Sequence, residues 1–254
     1  MNLNKLLIII PVYNGKKYLP SLIESLKMAY EYWPNFSVLM INDQSTDESR
    51  QIIDDYKFSW LTVNDNAEKK FFVGSCNFGL EKAINEEYDY VFLLNQDAEV
   101  TVNVFEKLCE VMDQDSSIGA MQPTVLLHPQ TELLNSQGCA IHVFGLGYTL
   151  GHKTPYVKDN KIVEVAYPTG AAVLYRTKAL SEVGVLASKY EMYHEDLELG
   201  WRLWLAGWRC VCLTGVSVFH KHEFSRSISR IYYMERNRWL FVLSRYSRAM
   251  LLLL

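Results

Sequence analysis

Apolar positions in this chain come in short, nearly unbroken runs separated by stretches of helical periodicity. Lys5 to Val12 (KLLIIIPV), Phe36 to Ile41 (FSVLMI) and Tyr90 to Leu94 (YVFLL) are the clearest runs. Runs of this length, rich in branched residues and lacking polar alternation, read as parallel strands buried on both faces. Trp60 to Val63 and Ile118 to Gln122 read as two further strands. Helices are predicted between them near 16–32, from about 48 to 56, over 74–87 and over 104–112. Ser45 with Glu48 three residues on fits a capping box opening the second helix. Four such alternations before residue 123 predict a parallel sheet wound with helices. From Pro123 to Pro168 turn residues accumulate, predicting irregular hairpins and loops. Gly170 to Arg176 then reads as a strand, Glu195 to Ala206 as a helix, Cys210 to Leu213 and Val216 to Phe219 as short strands. The pattern is helical from Ser225 onward. No repeat or low-complexity linker interrupts it, which predicts one domain over 1–220 followed by a tail over 221–254.

Composition narrows the classes. Of 254 residues, 49% are hydrophobic and 21% charged, the balance of a folded chain. The net charge of −4 argues against a nucleic-acid partner. It is unevenly spread: residues 221–254 carry +5 and the remainder −9. The five cysteines are scattered and form no CxxC pair, so neither a disulfide scaffold nor a zinc ribbon is indicated, and a reduced, cytoplasmic setting is expected. The apolar run Leu6 to Ile10 stops at Pro11, too short for a secretion signal or a membrane span.

Several chemistries are excluded by missing motifs. After the first strand stands Pro11-Val12-Tyr13-Asn14-Gly15, not a GxGxxG dinucleotide turn. The chain has neither a GxxxxGK[ST] phosphate loop nor a GxSxG elbow. In wound sheets, ligands bind beyond the carboxyl ends of the strands. Here those ends are polar: Tyr13-Asn14, Asn42-Asp43 and Asn95-Gln96-Asp97. A carboxylate at that edge can hold a hard cation, which can bridge a nucleotide diphosphate. A second carboxylate, in the Glu195-Asp196 pair, can deprotonate an incoming hydroxyl. Each acid also has an ordinary reading. Asp43 can cap a helix, and Glu195-Asp196 can be first-turn acids favoured by the helix dipole.

Six segments taken in order carry a resemblance: IIIPVYNG, INDQSTDES, FVGSCNFGL, FLLNQDAEV, TGAAVLYRTKALSEVG and YHEDLELGWRLWLAGWRC. Across Leu6 to His222 they resemble the family-two inverting glycosyltransferases with a GT-A fold, in a rhamnosyltransferase-like branch where Asn-x-Asp replaces DxD. The fold class implied is α/β, a Rossmann-like wound, mostly parallel sheet with an acceptor-side α/β half and a C-terminal helical tail. Residues 1–100 would be the nucleotide-sugar half and 101–220 the acceptor and catalytic half. The resemblance places Pro11, Val12 and Tyr13 along the nucleotide base, with Asp43 on the pyrimidine ring and Asn95 at the first acid of DxD. It makes Asp97 a ligand of Mg2+ or Mn2+, with His220 able to reach the metal or diphosphate. Gly170 and Ala171 would sit near the donor sugar or acceptor. Asp196 would be the catalytic base beside Glu195, and Arg202 would face the pyrophosphate or brace the pair. Cys76 stands where related sequences carry a polar or basic residue, which weakens the case for a diphosphate contact there.

The implied reaction moves a sugar, rhamnose on this resemblance, from a dTDP- or UDP-sugar to a glycan or lipid-linked glycan of the cell envelope. The rivals are a nucleotidyltransferase, for which Gly15-Lys16-Lys17 is a poor phosphate loop, and a silent membrane-associated sugar-binding scaffold. His220 and His222 are two apart, so spacing does not choose between them. The tail mixes arginines with Tyr232, Tyr233, Trp239 and Leu240. It reads either as a helix packed on the domain or, as favoured here, as an interfacial segment on the cytoplasmic face of an anionic membrane. Leu251 to Leu254 look like the start of an apolar segment cut short.

Overall fold

The structure is a computed structural model, which describes residues 6–221 and 231–252. The three strongest apolar runs are β1 (Leu6–Val12), β2 (Phe36–Asn42) and β4 (Tyr90–Leu94), with β3 (Leu61–Asp65) beside β2. They pair in parallel in the order β4-β1-β2-β3. Between them run α1 (Leu19–Tyr32), α2 (Ser49–Asp55) and α3 (Phe71–Asn85). Then follow β5 (Ala98–Val100), α4 (Val104–Gln114) and β6 (Ile118–Leu127). The turn-rich region holds β7 (Leu134–Ser136), β8 (Cys139–Ile141), β9 (Gly147–Thr149) and β10 (Ile162–Glu164), the short hairpins its pattern predicts. The rest is β11 (Ala172–Arg176), α5 (Thr177–Val183), α6 (Glu195–Leu205), β12 (Arg209–His220), α7 (Ile231–Arg245) and a final turn, α8 (Arg248–Leu251).

The sheet is mixed and mostly parallel, in the order β10-β12-β6-β11-β4-β1-β2-β3, with β11 antiparallel between β4 and β6. Strand alternation sends the two faces of β1 into different cores. Leu6, Ile8, Ile10 and Val12 meet α1, α2 and α4, while Leu7 and Ile9 meet α3 and the face that α5, α6 and α7 cover. This two-faced burial is why the strands read as continuous apolar runs.

Three details differ from the sequence expectation, and a fourth is not covered by the described residues. Ser45 and Glu48 do not form a capping box: α2 begins at Ser49, and Ser45 Oγ accepts from the backbone N–H of Asn14 at 3.1 Å. Glu48 instead pairs with Lys16 at 2.8 Å. The two short strands near 210–219 are one strand, β12, with an irregularity between Leu213 and Ser217. Helix α5 follows β11 directly, where no separate helix is expected. The tail is helical over Ile231–Arg245, while the expected helical start at Ser225 falls on residues 222–230, outside the described residues.

Candidate active site

One cavity of about 1000 Å3 opens beyond the carboxyl ends of β1, β2 and β4. Its walls include Pro11, Val12, Tyr13, Asp43, Asn95, Asp97, Gly170, Ala171, Glu195, Asp196 and His220. Residues more than two hundred positions apart, such as Pro11 and His220, thus meet around one space.

Asp43 ends β2 and is 3% exposed. Its Oδ1 accepts from Asn66 Nδ2 at 2.9 Å and from the Lys70 backbone N–H at 2.7 Å. Lys69 reaches its other oxygen at 3.4 Å and donates to its carbonyl at 2.9 Å. The same ammonium lies 2.8 Å from the centroid of the Tyr13 ring, a cation–π contact. Tyr13 is fixed from the other side by Gln96: its N–H donates to Oε1 at 2.9 Å, and Nε2 donates to its carbonyl at 3.0 Å. Gly15 allows this, since a Cβ there would stand 2.5 Å from Gln96 Oε1. Asp47 does not face the cavity as an isolated acid. It accepts from the Lys16 backbone N–H at 3.2 Å and from Ser49, joining the β1 and β2 loops.

Asp97 and His220 are neighbours because β12 runs antiparallel to β5, pairing His220 with Ala98. Nε2 of His220 lies 3.2 Å from Asp97 Oδ1. Its Nδ1 lies 3.5 Å from Asn135 Oδ1. Two ligands on adjacent octahedral corners, each about 2.1 Å from a hard cation, stand about 3.0 Å apart. A spacing of that order would let Asp97 and His220 hold a divalent cation together. Among the described residues, no group of three or more His, Cys, Asp or Glu side chains forms a protein-only cage.

The acid pair opens α6. Asp196 Oδ2 accepts from the Gly170 backbone N–H at 3.0 Å, and Oδ1 from that of Leu197 at 2.8 Å. Gly170 is carried by the strand start that also sets Asn95, whose N–H donates to Ala171 O at 3.0 Å. Burial raises the Asp196 carboxyl above the ordinary range, against those two hydrogen bonds. Glu195 is 6% exposed and its Oε2 has no hydrogen-bond partner. Burial, then the charge of Asp196, pushes it up to about 8. Both carboxyls of this buried pair are thus held above the ordinary carboxyl range.

Arg202 is a correction. It does not line the cavity or touch the acid pair. Its guanidinium binds Glu198 at 3.0 Å, along with the carbonyls of Val183, Gly184 and Val185. Trp201 packs on Phe241 and Tyr246, and Trp204 donates to Val165 O at 3.0 Å; both are packing residues. Cys76 faces the core, and Ser75 next to it lines the cavity instead. Lys69, Asn135, His152 and Met234 on the cavity wall belong to no motif. Gln96 had a weak signal, as the middle of Asn-x-Asp. The others are lone residues in loops, on β7 or on the tail helix, brought in by long-range packing.

The wound, mostly parallel sheet with a polar cavity at this edge is a GT-A-like fold, as in the solved structures given below. Residues 7–184 match the glycosyl transferase family 2 model, and the chain belongs to that family. It is 26% identical over 195 residues to "Uncharacterized glycosyltransferase MG025" of Mycoplasma genitalium, covering 75% of this chain and 61% of that protein. It is 26% identical over 177 residues to the poly(ribitol-phosphate) beta-N-acetylglucosaminyltransferase TarS of Staphylococcus aureus, covering 62% of this chain and 29% of TarS. An 86-residue stretch is 33% identical to the N-acetylglucosaminyl-diphospho-decaprenol L-rhamnosyltransferase of Mycobacterium tuberculosis, covering 33% of this chain and 28% of that enzyme. The chain therefore spans less than two thirds of the length of each of these curated relatives, from 28% to 61%. Among solved structures, GalNAc-T7 with UDP, GalNAc and Mn2+ shares the fold at a TM-score of 0.70 and 17% identity, covering 87% of this chain and 44% of that one. TarS 1-349 in complex with UDP shares it at 0.65 and 18%, covering 96% and 68%.

Proposed function

We propose that this protein is an inverting glycosyltransferase that moves a sugar from a pyrimidine nucleotide diphosphate to a hydroxyl of a cell-envelope glycan. The observation that carries this is the convergence of Asp43, the Asp97–His220 pair and Asp196 on one cavity. Pro11, Val12, Tyr13 and Asp43 would hold the base, and Asn95 would stand near the diphosphate. Asp97 and His220 would hold Mg2+ or Mn2+, which, when bound, stabilises negative charge on the departing diphosphate. Asp196 accepts the proton of the acceptor hydroxyl. The hydroxyl oxygen bonds to the anomeric carbon as the bond to the diphosphate oxygen breaks, and that electron pair leaves with the diphosphate. One displacement inverts the anomeric centre. Burial suits Asp196 to this role, since a raised carboxyl is a stronger base.

The sugar is a choice between two supported candidates. The TarS relative, solved with UDP-GlcNAc, supports an N-acetylglucosamine donor on UDP, and the mycobacterial relative supports rhamnose. The acceptor would be a polysaccharide or a lipid-linked glycan at the cytoplasmic face of the membrane, with the basic tail as the membrane contact. No described helix is long and apolar enough to cross a membrane.

The test is a thermal-shift series with UDP, dTDP, GDP and CDP, each with Mn2+, Mg2+ or EDTA. A ligand that binds only the folded state raises its melting temperature. UDP or dTDP should stabilise the chain with metal and lose the effect in EDTA or in Asp97→Ala. Equal shifts in wild type and Asp97→Ala across a metal titration overturn the cation role. No shift with any nucleotide moves the weight to a sugar-binding scaffold.

A further inference from the structure

The wall of the cavity beside the acid pair is built in part by the C-terminal helix. Residues 190–194 join a short 3-10 turn, Ser188–Tyr190, to the start of α6. In this segment Glu191, Tyr193 and His194 have φ of 61°, 67° and 67°. Side-chain-bearing residues rarely adopt such backbone, and it persists only where the surroundings over-determine it.

The surroundings here are two adjacent residues of α7. Asn237 is fully buried. Its Nδ2 lies 2.8, 2.7 and 2.8 Å from the carbonyl oxygens of Tyr190, Met192 and Tyr193. Its Oδ1 accepts from Arg236 Nε at 3.0 Å, which fixes the amide orientation. The Arg236 guanidinium donates to Lys189 O at 2.9 Å and Tyr190 O at 3.0 Å, and pairs with the Glu191 carboxylate at 3.1 Å. The Glu191 carbonyl is then taken by the Val73 N–H at 2.9 Å. The same helix also holds the 142–148 loop, with Arg238 donating to Phe144 O at 3.1 Å, and sends Met234 to the cavity wall.

We infer that Asn237 and Arg236 are positioning residues for catalysis: they clamp the strained 190–194 segment and so fix where Asp196 stands in the cavity. This rests on the base role proposed above for Asp196. Apolar packing of Phe241 and Tyr246 on Trp201 also holds this C-terminal segment to α6. It does not explain six polar contacts converging on the backbone and one side chain of so short a segment.

The experiment compares wild type, Asn237→Ala, Arg236→Ala, Asp196→Asn and, as a packing control on the same helix, Phe241→Leu. Three quantities are read: hydrogen exchange of peptides covering 188–198, Kd for UDP with Mn2+, and kcat for nucleoside diphosphate release from UDP-N-acetylglucosamine and dTDP-rhamnose. Asn237→Ala should speed exchange over 188–198 by about 10-fold while leaving β1 to β4 unchanged. It should lower kcat by about 100-fold with Kd for UDP within about twofold, the cost of a base displaced by about an ångström. Arg236→Ala should act in the same direction and less, and it carries the test if Asn237→Ala does not fold. Phe241→Leu should lower the melting temperature without the local exchange effect. Unchanged exchange over 188–198 in a folded Asn237→Ala overturns the clamp, as does an equal response in Phe241→Leu. Wild-type turnover that Asp196→Asn retains overturns the base role instead. Absence of any wild-type turnover counts against the proposed activity, and the exchange result still decides the clamp.

Discussion

Glu195 and Asp196 share a helix start and differ in what holds them. Asp196 has two backbone donors, whereas one oxygen of Glu195 has none. A carboxyl raised by burial binds its proton more tightly in the folded state. Its stability contribution is therefore full below its unfolded value near 4.5 and lost as pH rises through its folded value of about 8. Glu195→Gln removes that titration. The variant's melting temperature should match wild type near pH 5 and exceed it near pH 9, as differential scanning fluorimetry across pH would show. A wild-type curve as flat as the variant's would place the raised carboxyl elsewhere. Catalysis runs the other way: Asp196 must be ionised to accept a proton, so the rising limb of the kcat profile should lie above the ordinary carboxyl range. In Asp196→Asn that turnover should be abolished with Kd for UDP nearly unchanged, measured by isothermal titration and product release.

Arg202 teaches the opposite lesson. Six residues along a helix is a rotation of about 240° beyond one full turn, so Arg202 points away from the face that carries Asp196. Its partner there is Glu198, which has no exposed surface and is also bound by Arg245. Arg202→Met leaves a buried carboxylate short of one partner and should lower stability by about 3 kcal/mol, the lower end for a broken buried pair. Urea denaturation reads this, and the Kd for UDP should not move. A weakened nucleotide affinity at unchanged stability would restore Arg202 to the site.

At the scale of elements, close approach decides where propensity is silent. Gly79 lies inside α3, where alanine would ordinarily gain about 1 kcal/mol. A Cβ at 79, however, would stand 2.6–2.8 Å from three carbons of Ile9 on β1. Overpacking of that kind costs about 1–3 kcal/mol, so the clash outweighs the propensity. Gly79→Ala should lower the urea midpoint with the m-value unchanged; a rise would mean that α3 shifts freely on the sheet. The strands were legible because burial on both faces writes itself as an unbroken apolar run. The capping box was not: Ser45, Asp47 and Ser49 hold the loop after β1, so tertiary hydrogen bonds took the residues that local capping would use. Three left-handed residues before α6 had no signature either, since none of them is glycine or asparagine.

At the scale of the molecule, α7 belongs to the second core, with Phe241, Val242 and Tyr246 buried against α6 and its neighbours. Burial of Phe241 and Val242 alone is worth roughly 3–6 kcal/mol. A chain ending at residue 229 should therefore bind a hydrophobic dye and melt lower by roughly 10 °C, which fluorimetry would show. Unchanged melting would mean that the tail contributes nothing to the fold. The outer face of α7 keeps Tyr232, Trp239 and Leu243 exposed, the residues that the membrane proposal would use.

By itself the sequence determined the wound sheet and the polar edge at the strand ends where Asp43 and Asp97 stand, because strand burial and strand-end position are local properties of the chain. The resemblance of six ordered segments carried this to a family, which the family match bears out. Tertiary structure alone decided the rest. It put antiparallel β11 inside the sheet, so that Gly170 meets Asp196 and Ala171 meets Asn95, and it ran β12 past β5, so that His220 meets Asp97. It also turned Arg202 away from the cavity, onto buried Glu198, and sent Asn237 across 44 positions to the Tyr193 carbonyl. Each of these depends on how distant segments pack, and packing between distant segments leaves no period in a sequence.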